Sequence, residues 1–165
     1  MDIELAALSL DSQSLSFVGR LLLAGVLGAL IGLERELRAK EAGLRTHFLV
    51  ALGSALIMIV SQWGFAGSEG FSGTRGADAS RVAAQIVSGI GFLGAGTIIM
   101  QKHVIHGLTT AAGMWVAAGI GMASAAGLYW VAVAATALCL VGLELFGRLN
   151  RAIRSHGEKE PENAG

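Results

Sequence analysis

The sequence predicts an all-α membrane protein, a bundle of five transmembrane helices. Of its 165 residues, 53% are hydrophobic and only 15% are charged, and the mean hydropathy is +0.63. A soluble domain carries about 25% charged residues, so the excess apolar surface is expected to face lipid. Four long apolar stretches carry this excess, and none has the alternating pattern of a β-barrel strand.

Each apolar stretch is compared with the length that a membrane requires, about 20 residues for about 30 Å of hydrocarbon. Residues 15–33, 48–68 and 82–101 have this length and predict one crossing each. Residues 107–143 carry no charge and would reach roughly 55 Å as a single helix, so they are predicted to fold back near 121–127 and cross twice. No β-strand is expected.

The positions of Lys and Arg predict the orientation, because short loops rich in these residues stay in the cytoplasm. With the N-terminus outside and the C-terminus cytoplasmic, nine basic residues lie inside and two outside. The inner residues are Arg35, Arg38, Lys40, Arg45, Lys102, Arg148, Arg151, Arg154 and Lys159, and the outer ones are Arg75 and Arg81. Residues 1–147 are then the transmembrane domain, and residues 148–165 are expected to be a short, disordered cytoplasmic tail.

Composition also argues against several classes of function. The 12 basic and 12 acidic residues balance, so no overall field attracts nucleic acid. Cys139 is the only cysteine, which excludes an intramolecular disulfide and a thiolate zinc cluster. The glycine pattern at 89–94 matches a dinucleotide fingerprint, but it lies inside a membrane stretch rather than after a strand. We expect neither a cofactor nor an enzyme, since no Ser/His/Asp triad, carboxylate pair or HExxH motif is present.

Glycines within the predicted helices indicate close packing, because small residues let membrane helices approach each other. Gly28 and Gly32 have the GxxxG spacing that is typical of a contact between two membrane helices. The glycines assigned to helix packing are Gly28, Gly32, Gly89, Gly91, Gly94 and Gly96.

Arg20 lies inside the first crossing, where a charge is costly unless it reaches the headgroups or a partner. One interpretation is that its side chain extends to the outer membrane surface. The other is a polar cluster at the outer end of the bundle, with Arg81, Gln85 and Ser88 on one helix face. Asp78 would balance the charge of this cluster, or simply pair with Arg81 on the same helix.

A second group of polar residues surrounds the predicted inner loop: Glu34, Arg35, Glu36, Gly43, Arg45, Thr46 and His47. These residues are either a solvated hairpin or a surface that binds lipid headgroups or another protein. His103 and His106 would lie at the same face as His47. Three imidazoles there could bind a metal or sense pH, although their spacing is no recognised ligand pattern and ordinary interfacial histidines are the simpler interpretation. Glu144 is expected to pair with Arg148 at i, i+4.

Four stretches of the sequence, 20–36, 42–54, 81–100 and 107–118, resemble the MgtC/SapB family of bacterial inner-membrane proteins. The resemblance covers about residues 16–147 in order, and it marks residues 43–47 and 81–96 as signature positions. It implies five membrane helices and a link to growth in low magnesium and to acid stress. For virulence-associated members it further implies survival in macrophages and restraint of the F-type ATP synthase.

Two departures from those members shape the expected function. Thr109 and Val116 stand where some of them have Asn and Cys, and the sequence is expected to be a short member without their C-terminal ACT-like domain. We therefore expect a regulatory or homeostatic protein that contacts lipids and another membrane protein. The ATP synthase is a partner by resemblance only, and self-association is left open. The alternative is a transporter of Mg²⁺ or another small solute, with Arg20, Arg81 and Gln85 as its outer vestibule.

Overall fold

The computed structural model describes the backbone of residues 2–64 and 75–157, and the side chains of residues 12–64, 80–150, 152 and 153. Its elements, in chain order, are α1 (Asp2–Leu37), α2 (Leu44–Ile59, extended by a π-helical turn, Val60–Gly64), α3 (Arg75–Ala95), β1 (Ile99–Gln101), β2 (Val104–His106), α4 (Leu108–Ala125) and α5 (Tyr129–Gly157).

The predicted class, an all-α membrane protein with five helices, is confirmed over the described residues. Four of these helices are long and apolar enough to cross a membrane by length and composition: Ser12–Leu37, Leu44–Gly64, Leu108–Ala125 and Tyr129–Asn150. The described part of α3 packs beside α2 and α4, and its crossing of the membrane stays a prediction.

The predicted fold-back of the long apolar stretch is confirmed between α4 and α5. Gly127 has φ +82°, a left-handed conformation that a glycine adopts without a Cβ clash. Its N–H donates to the carbonyl of Ser124, and the N–H of Leu128 donates to the carbonyl of Ala123. This pair of hydrogen bonds is a Schellman motif, so a local backbone signal ends α4 before α5 begins.

The prediction that residues 82–101 form one helix and that no strand occurs is wrong. Helix α3 ends at Ala95, and β1 pairs antiparallel with β2. Lys102 and His103 connect the strands with φ +46° and +66°, which is the two-residue turn that suits the twist of a hairpin. The apolar residues at 99–101 were counted as part of a helix because the prediction used apolar length alone. Both strands contain β-branched residues, which favour an extended backbone.

Helix α5 also differs from its predicted end. It remains helical to Gly157, so the expected disorder is wrong for residues 148–157, while residues 158–165 lie outside the described part of the chain. The Glu144–Arg148 pair at i, i+4 is confirmed and spans the predicted boundary. Such a pair stabilises the helix across the point where the apolar stretch ends.

The centre of the bundle is α2, which lies between α1 and α4. A Cβ at Gly28 would lie 2.6 Å from the Cβ of Ala51, and one at Gly121 would overlap the carbonyl oxygen of Ala51. A Cβ at Gly32 would lie 2.6 Å from the Cα of Leu44. The GxxxG prediction is therefore confirmed, because both glycines allow α1 to contact the backbone of α2.

The glycines of α3 are different. No described atom lies within 4 Å of a Cβ placed at Gly89 or Gly91, so the predicted close contacts are wrong there within the described residues. A Cβ at Gly94 would lie 3.4 Å from the Cβ of Ala111, an ordinary contact, and one at Gly96 would face only its own helix. The number of glycines in a helix does not show which face of that helix packs against a neighbour and which face stays open.

Two glycines on α4 provide a matched test of this packing. Gly121→Ala should lower the free energy of unfolding by at least about 2 kcal/mol, because the methyl group overlaps backbone that cannot move independently. Gly119→Ala should be neutral or slightly stabilising, since no described atom lies within 4 Å of its Cβ. Thermal unfolding of the purified protein in detergent measures both, and equal melting temperatures would contradict the assigned contact.

Candidate functional site

A chain of ion pairs joins the C-terminal end of α1 to the middle of α5. Glu34 accepts two hydrogen bonds from Arg35, Nε to Oε2 at 2.6 Å and Nη2 to Oε1 at 3.0 Å. Arg38 Nε lies 2.5 Å from Glu34 Oε1, and Arg38 also pairs with Glu144, which in turn pairs with Arg148. We call these five residues the ion-pair chain.

Burial changes along the ion-pair chain. The side chain of Arg35 is 4% exposed, whereas that of Arg148 is 73% exposed. A buried guanidinium is tolerated only with a counter-charge and satisfied donors, so Glu34 is required where Arg35 lies. Both carboxylates of the chain are already occupied by guanidinium groups, which makes them poor ligands for a hard cation such as Mg²⁺.

Glu36 connects α1 to the beginning of α2. Its Oε2 accepts a hydrogen bond of 2.8 Å from the N–H of Leu44, the first residue of α2. A carboxylate at this position satisfies one free donor and interacts favourably with the positive end of the helix dipole. A Cβ at Gly43 would overlap this carboxylate at 2.5 Å, which gives a physical reason for glycine there.

Glu41 connects the loop after α1 to the beginning of α4. Its Oε2 accepts a hydrogen bond of 2.8 Å from the buried hydroxyl of Thr110. Its own backbone N–H and the Thr110 hydroxyl hold the pKa of the Glu41 carboxyl below the usual value, because both stabilise the ionised form. The sequence analysis did not predict this contact, since the two residues are 69 positions apart in the chain.

His47 is fully buried among α1, α2 and α4. Its Nδ1 lies 3.0 Å from the carbonyl oxygen of Gly43, and its Nε2 has no hydrogen-bond partner among the described residues. A Cβ at Gly113 would lie 3.1 Å from Nε2, so the glycine of α4 makes room for the ring. His103 and His106 lie exposed on the hairpin instead, and no group of three metal-ligating residues forms within the described side chains.

A polar groove opens beside the ion-pair chain, between α1, the beginning of α4 and α5. Its volume is about 1370 Å³. Its charged lining consists of Glu34, Arg35, Arg38, Lys40, Glu41 and Glu144. Of the inner group of polar residues from the sequence analysis, Glu34 and Arg35 line this groove, whereas Glu36 contacts the beginning of α2.

A second, apolar groove of about 650 Å³ lies between α2 and α3. Leu49, Ile57 and Leu93 line it, together with the open glycines Gly53 and Gly89. Its polar lining residues include Arg45, Thr46 and Gln85. The structure thus places residues from both signature stretches along one surface, which their separation in sequence does not indicate.

Arg20, a member of the predicted outer cluster, contacts α4 and the π-helical turn that extends α2. Arg20 donates from Nη1 to the carbonyl of Ala125 at 2.6 Å, and its Cζ lies 4.9 Å from the centroid of the Trp63 ring. Arg20 therefore places a cation at the C-terminus of α4, where the helix dipole favours it. Gln85 lines the apolar groove, and no hydrogen bond joins it to Arg20 among the described side chains, so their association stays a prediction.

The other members of that cluster lie on α3. Arg81 and Ser88 are exposed, and Asp78 lies outside the residues whose side chains are described. Sequence reasoning missed Trp63, which stacks near Phe17 with ring centroids 5.0 Å apart. An apolar-looking tryptophan gives no signal of its cation contact until the bundle brings α1 and α2 together.

Comparison with known proteins identifies the group to which these features belong. The family described as MgtC matches residues 21–152. The "Putative magnesium transporter YhiD" of Escherichia coli K12 is 48% identical over 133 residues, which is 81% of this chain and 61% of that protein. "Protein MgtC" of Salmonella typhimurium 14028s is 43% identical over 148 residues, 87% of this chain and 60% of that protein.

An uncharacterised protein of Haemophilus influenzae is 42% identical over 150 residues, covering 90% of this chain and 63% of its own length. The chain thus spans about 60% of the length of each of these three relatives. No solved structure matches.

The ion-pair chain predicts unequal effects at its two ends. Glu34→Gln should destabilise the protein by about 3 kcal/mol, because it leaves the buried Arg35 without its counter-charge. Arg148→Gln should cost under about 1 kcal/mol, since that pair is exposed and screened. Denaturant or thermal unfolding in detergent compares the two, and similar losses would mean that Arg35 reaches water or another partner.

Proposed function

The chain belongs to the MgtC family, and on this premise we propose that it is a regulatory or homeostatic protein of the bacterial inner membrane, active under magnesium limitation or acid stress. It acts by contact with another membrane protein and carries out no catalytic step. Its N-terminus lies outside and its C-terminus in the cytoplasm, as the distribution of Lys and Arg favours.

The apolar groove between α2 and α3 is the observation that carries this proposal. From Arg45 to Ile57 it follows α2 for about 18 Å, within a helix long enough to cross the membrane. Gly53 and Gly89 leave its floor open, and open glycines at membrane depth allow a second helix to approach closely. We assign the groove to one transmembrane helix of the partner protein.

Polar groups along the groove would supply the specificity of this contact. Gln85 and Ser54 lie among apolar side chains, where a hydrogen bond to a polar residue on the partner helix is favourable. Arg45 lies at the end of the groove and is suited to a carboxylate near the cytoplasmic surface.

Magnesium transport is the second candidate, because one relative is named a putative magnesium transporter. Within the described side chains, three carboxylates line the polar groove: Glu34 and Glu144 accept hydrogen bonds from arginine, and Glu41 accepts one from the Thr110 hydroxyl. A passing Mg²⁺ ion would have to displace guanidinium groups from two of the three carboxylates, whereas Mg²⁺ sites keep several waters and free oxygen ligands. These contacts favour regulation over transport.

Filling the groove tests the proposal. Gly53→Leu and Gly89→Leu should fold normally, because no described atom lies within 4 Å of either Cβ, but should block a helix in the groove. Each is compared with Gly119→Leu, an equally open glycine on another face. In a strain that depends on this chain for growth in low magnesium, the groove variants should lose growth and the control should retain it.

A crosslinker and a flux assay complete the test. A photoreactive residue at the exposed Leu49 should give one crosslinked partner in membranes, and Gly53→Leu should reduce that product at least about tenfold. Growth and crosslinking that survive both groove variants would refute the contact. Mg²⁺ entry into liposomes that contain only the purified protein would support the transporter instead.

A further inference from the structure

We propose that the polar groove binds one phospholipid whose headgroup carries both a phosphate and an ammonium group. This site is separate from the apolar groove between α2 and α3, and its test is independent of the partner contact proposed above. The argument rests on the gradient of polarity along the groove, the charges at its end and the buried arginine in its wall.

The groove is amphiphilic in the direction expected for a lipid. Leu30 and Leu33 line its part beside the membrane-spanning segment of α1, and both side chains are more than 40% exposed. Lys40 and Glu41 line its other part, just after that segment ends at Leu37. Acyl chains would therefore follow the apolar wall while the headgroup reaches the charges at the membrane surface.

The charges favour a phosphate near α1. The cations that line the groove are Arg35, Arg38 and Lys40, and Lys40 is exposed at its edge. The three carboxylates Glu34, Glu41 and Glu144 line it as well, so the charged lining is neutral overall and complements a headgroup that carries one charge of each sign. A lipid phosphate would lie against the cations, at a surface where basic groups attract anionic headgroups.

Arg35 provides a built-in donor for this phosphate. It lines the groove although it is 3% exposed, and Glu34 accepts hydrogen bonds from its Nε and Nη2 atoms. A guanidinium has five N–H donors, so further donors are available to a ligand oxygen. A charged hydrogen bond from a buried, pre-positioned side chain is stronger than one from a mobile surface lysine.

The beginning of α4 adds a second positive feature. Gly107 precedes the helix and has no side chain to cap it, and both Gly107 and Leu108 line the groove. The N-terminus of this 18-residue helix therefore borders the same space, where the helix dipole favours an anion. Glu41 shares this end through its hydrogen bond from Thr110.

Glu41 decides between classes of phospholipid. Its carboxylate is exposed at the edge of the groove, and it would repel a headgroup that bears only negative charge. A headgroup that carries an ammonium beyond its phosphate can meet this carboxylate while the phosphate meets Arg35 and Lys40. An ethanolamine headgroup has this order of charges and can donate hydrogen bonds to Glu41.

Native mass spectrometry of the delipidated, full-length protein tests the site. With added phosphatidylethanolamine, we expect one retained lipid per chain, at least about tenfold more than with phosphatidylglycerol at the same concentration. Lys40→Gln should lower retention of phosphatidylethanolamine about tenfold, because it removes a charge that faces the phosphate. Lys102→Gln, an exposed lysine at the hairpin turn and away from the groove, should change nothing.

A second variant and a soluble probe separate the alternatives. Glu41→Gln should remove the preference for phosphatidylethanolamine over phosphatidylglycerol, since the ammonium loses its carboxylate while the phosphate contacts remain. Thermal unfolding verifies that each variant is folded. Equal retention of both lipids by the unaltered protein, or equal retention of phosphatidylethanolamine by Lys40→Gln, would overturn the proposal, as would competition by millimolar inorganic phosphate, which would indicate a site for a soluble anion.

Discussion

Helices α1 and α4 both approach α2 closely at Ala51, and the rest of the bundle depends on this close packing. Gly28 of α1 and Gly121 of α4 bring their backbones against α2 at Ala51, where a methyl group on either would overlap it. In lipid there is little hydrophobic force between helices, so contact area and backbone proximity have to stabilise their association. The buried ring of His47 lies in the same layer and fits because Gly113 has no side chain.

Three charged side chains depend on this arrangement, because they contact the end of another helix or a charge on another helix. Arg20 donates to the C-terminus of α4, and Glu36 accepts from the N-terminus of α2. Arg38 joins α1 to α5 through Glu144. Since ionisable groups near hydrocarbon are costly without partners, these contacts also fix which helices are neighbours.

The two grooves follow from where this packing stops. Helix α3 contacts α4 near Gly94 but leaves Gly89 open, so α2 and α3 separate into an apolar groove. At the charged end, α1 and α5 are joined by long side chains rather than by backbone contact, and the polar groove remains beside them. One groove therefore suits a helix within the membrane, and the other suits an amphiphile at its surface.

The sequence by itself determined the class of protein, the apolar segments and the fold-back near Gly127. The length of an apolar segment and the position of a glycine that can end a helix are both read from neighbouring residues. It also indicated the Glu144–Arg148 pair and the Gly28–Gly32 contact, which depend on helical spacing. Only the tertiary structure decided that Arg20 meets Trp63 and that Thr110 meets Glu41, since those partners are far apart in sequence. The tertiary structure also decided the β-hairpin and the open glycines of α3. The composition of a segment shows how apolar it is but does not show which neighbours it contacts.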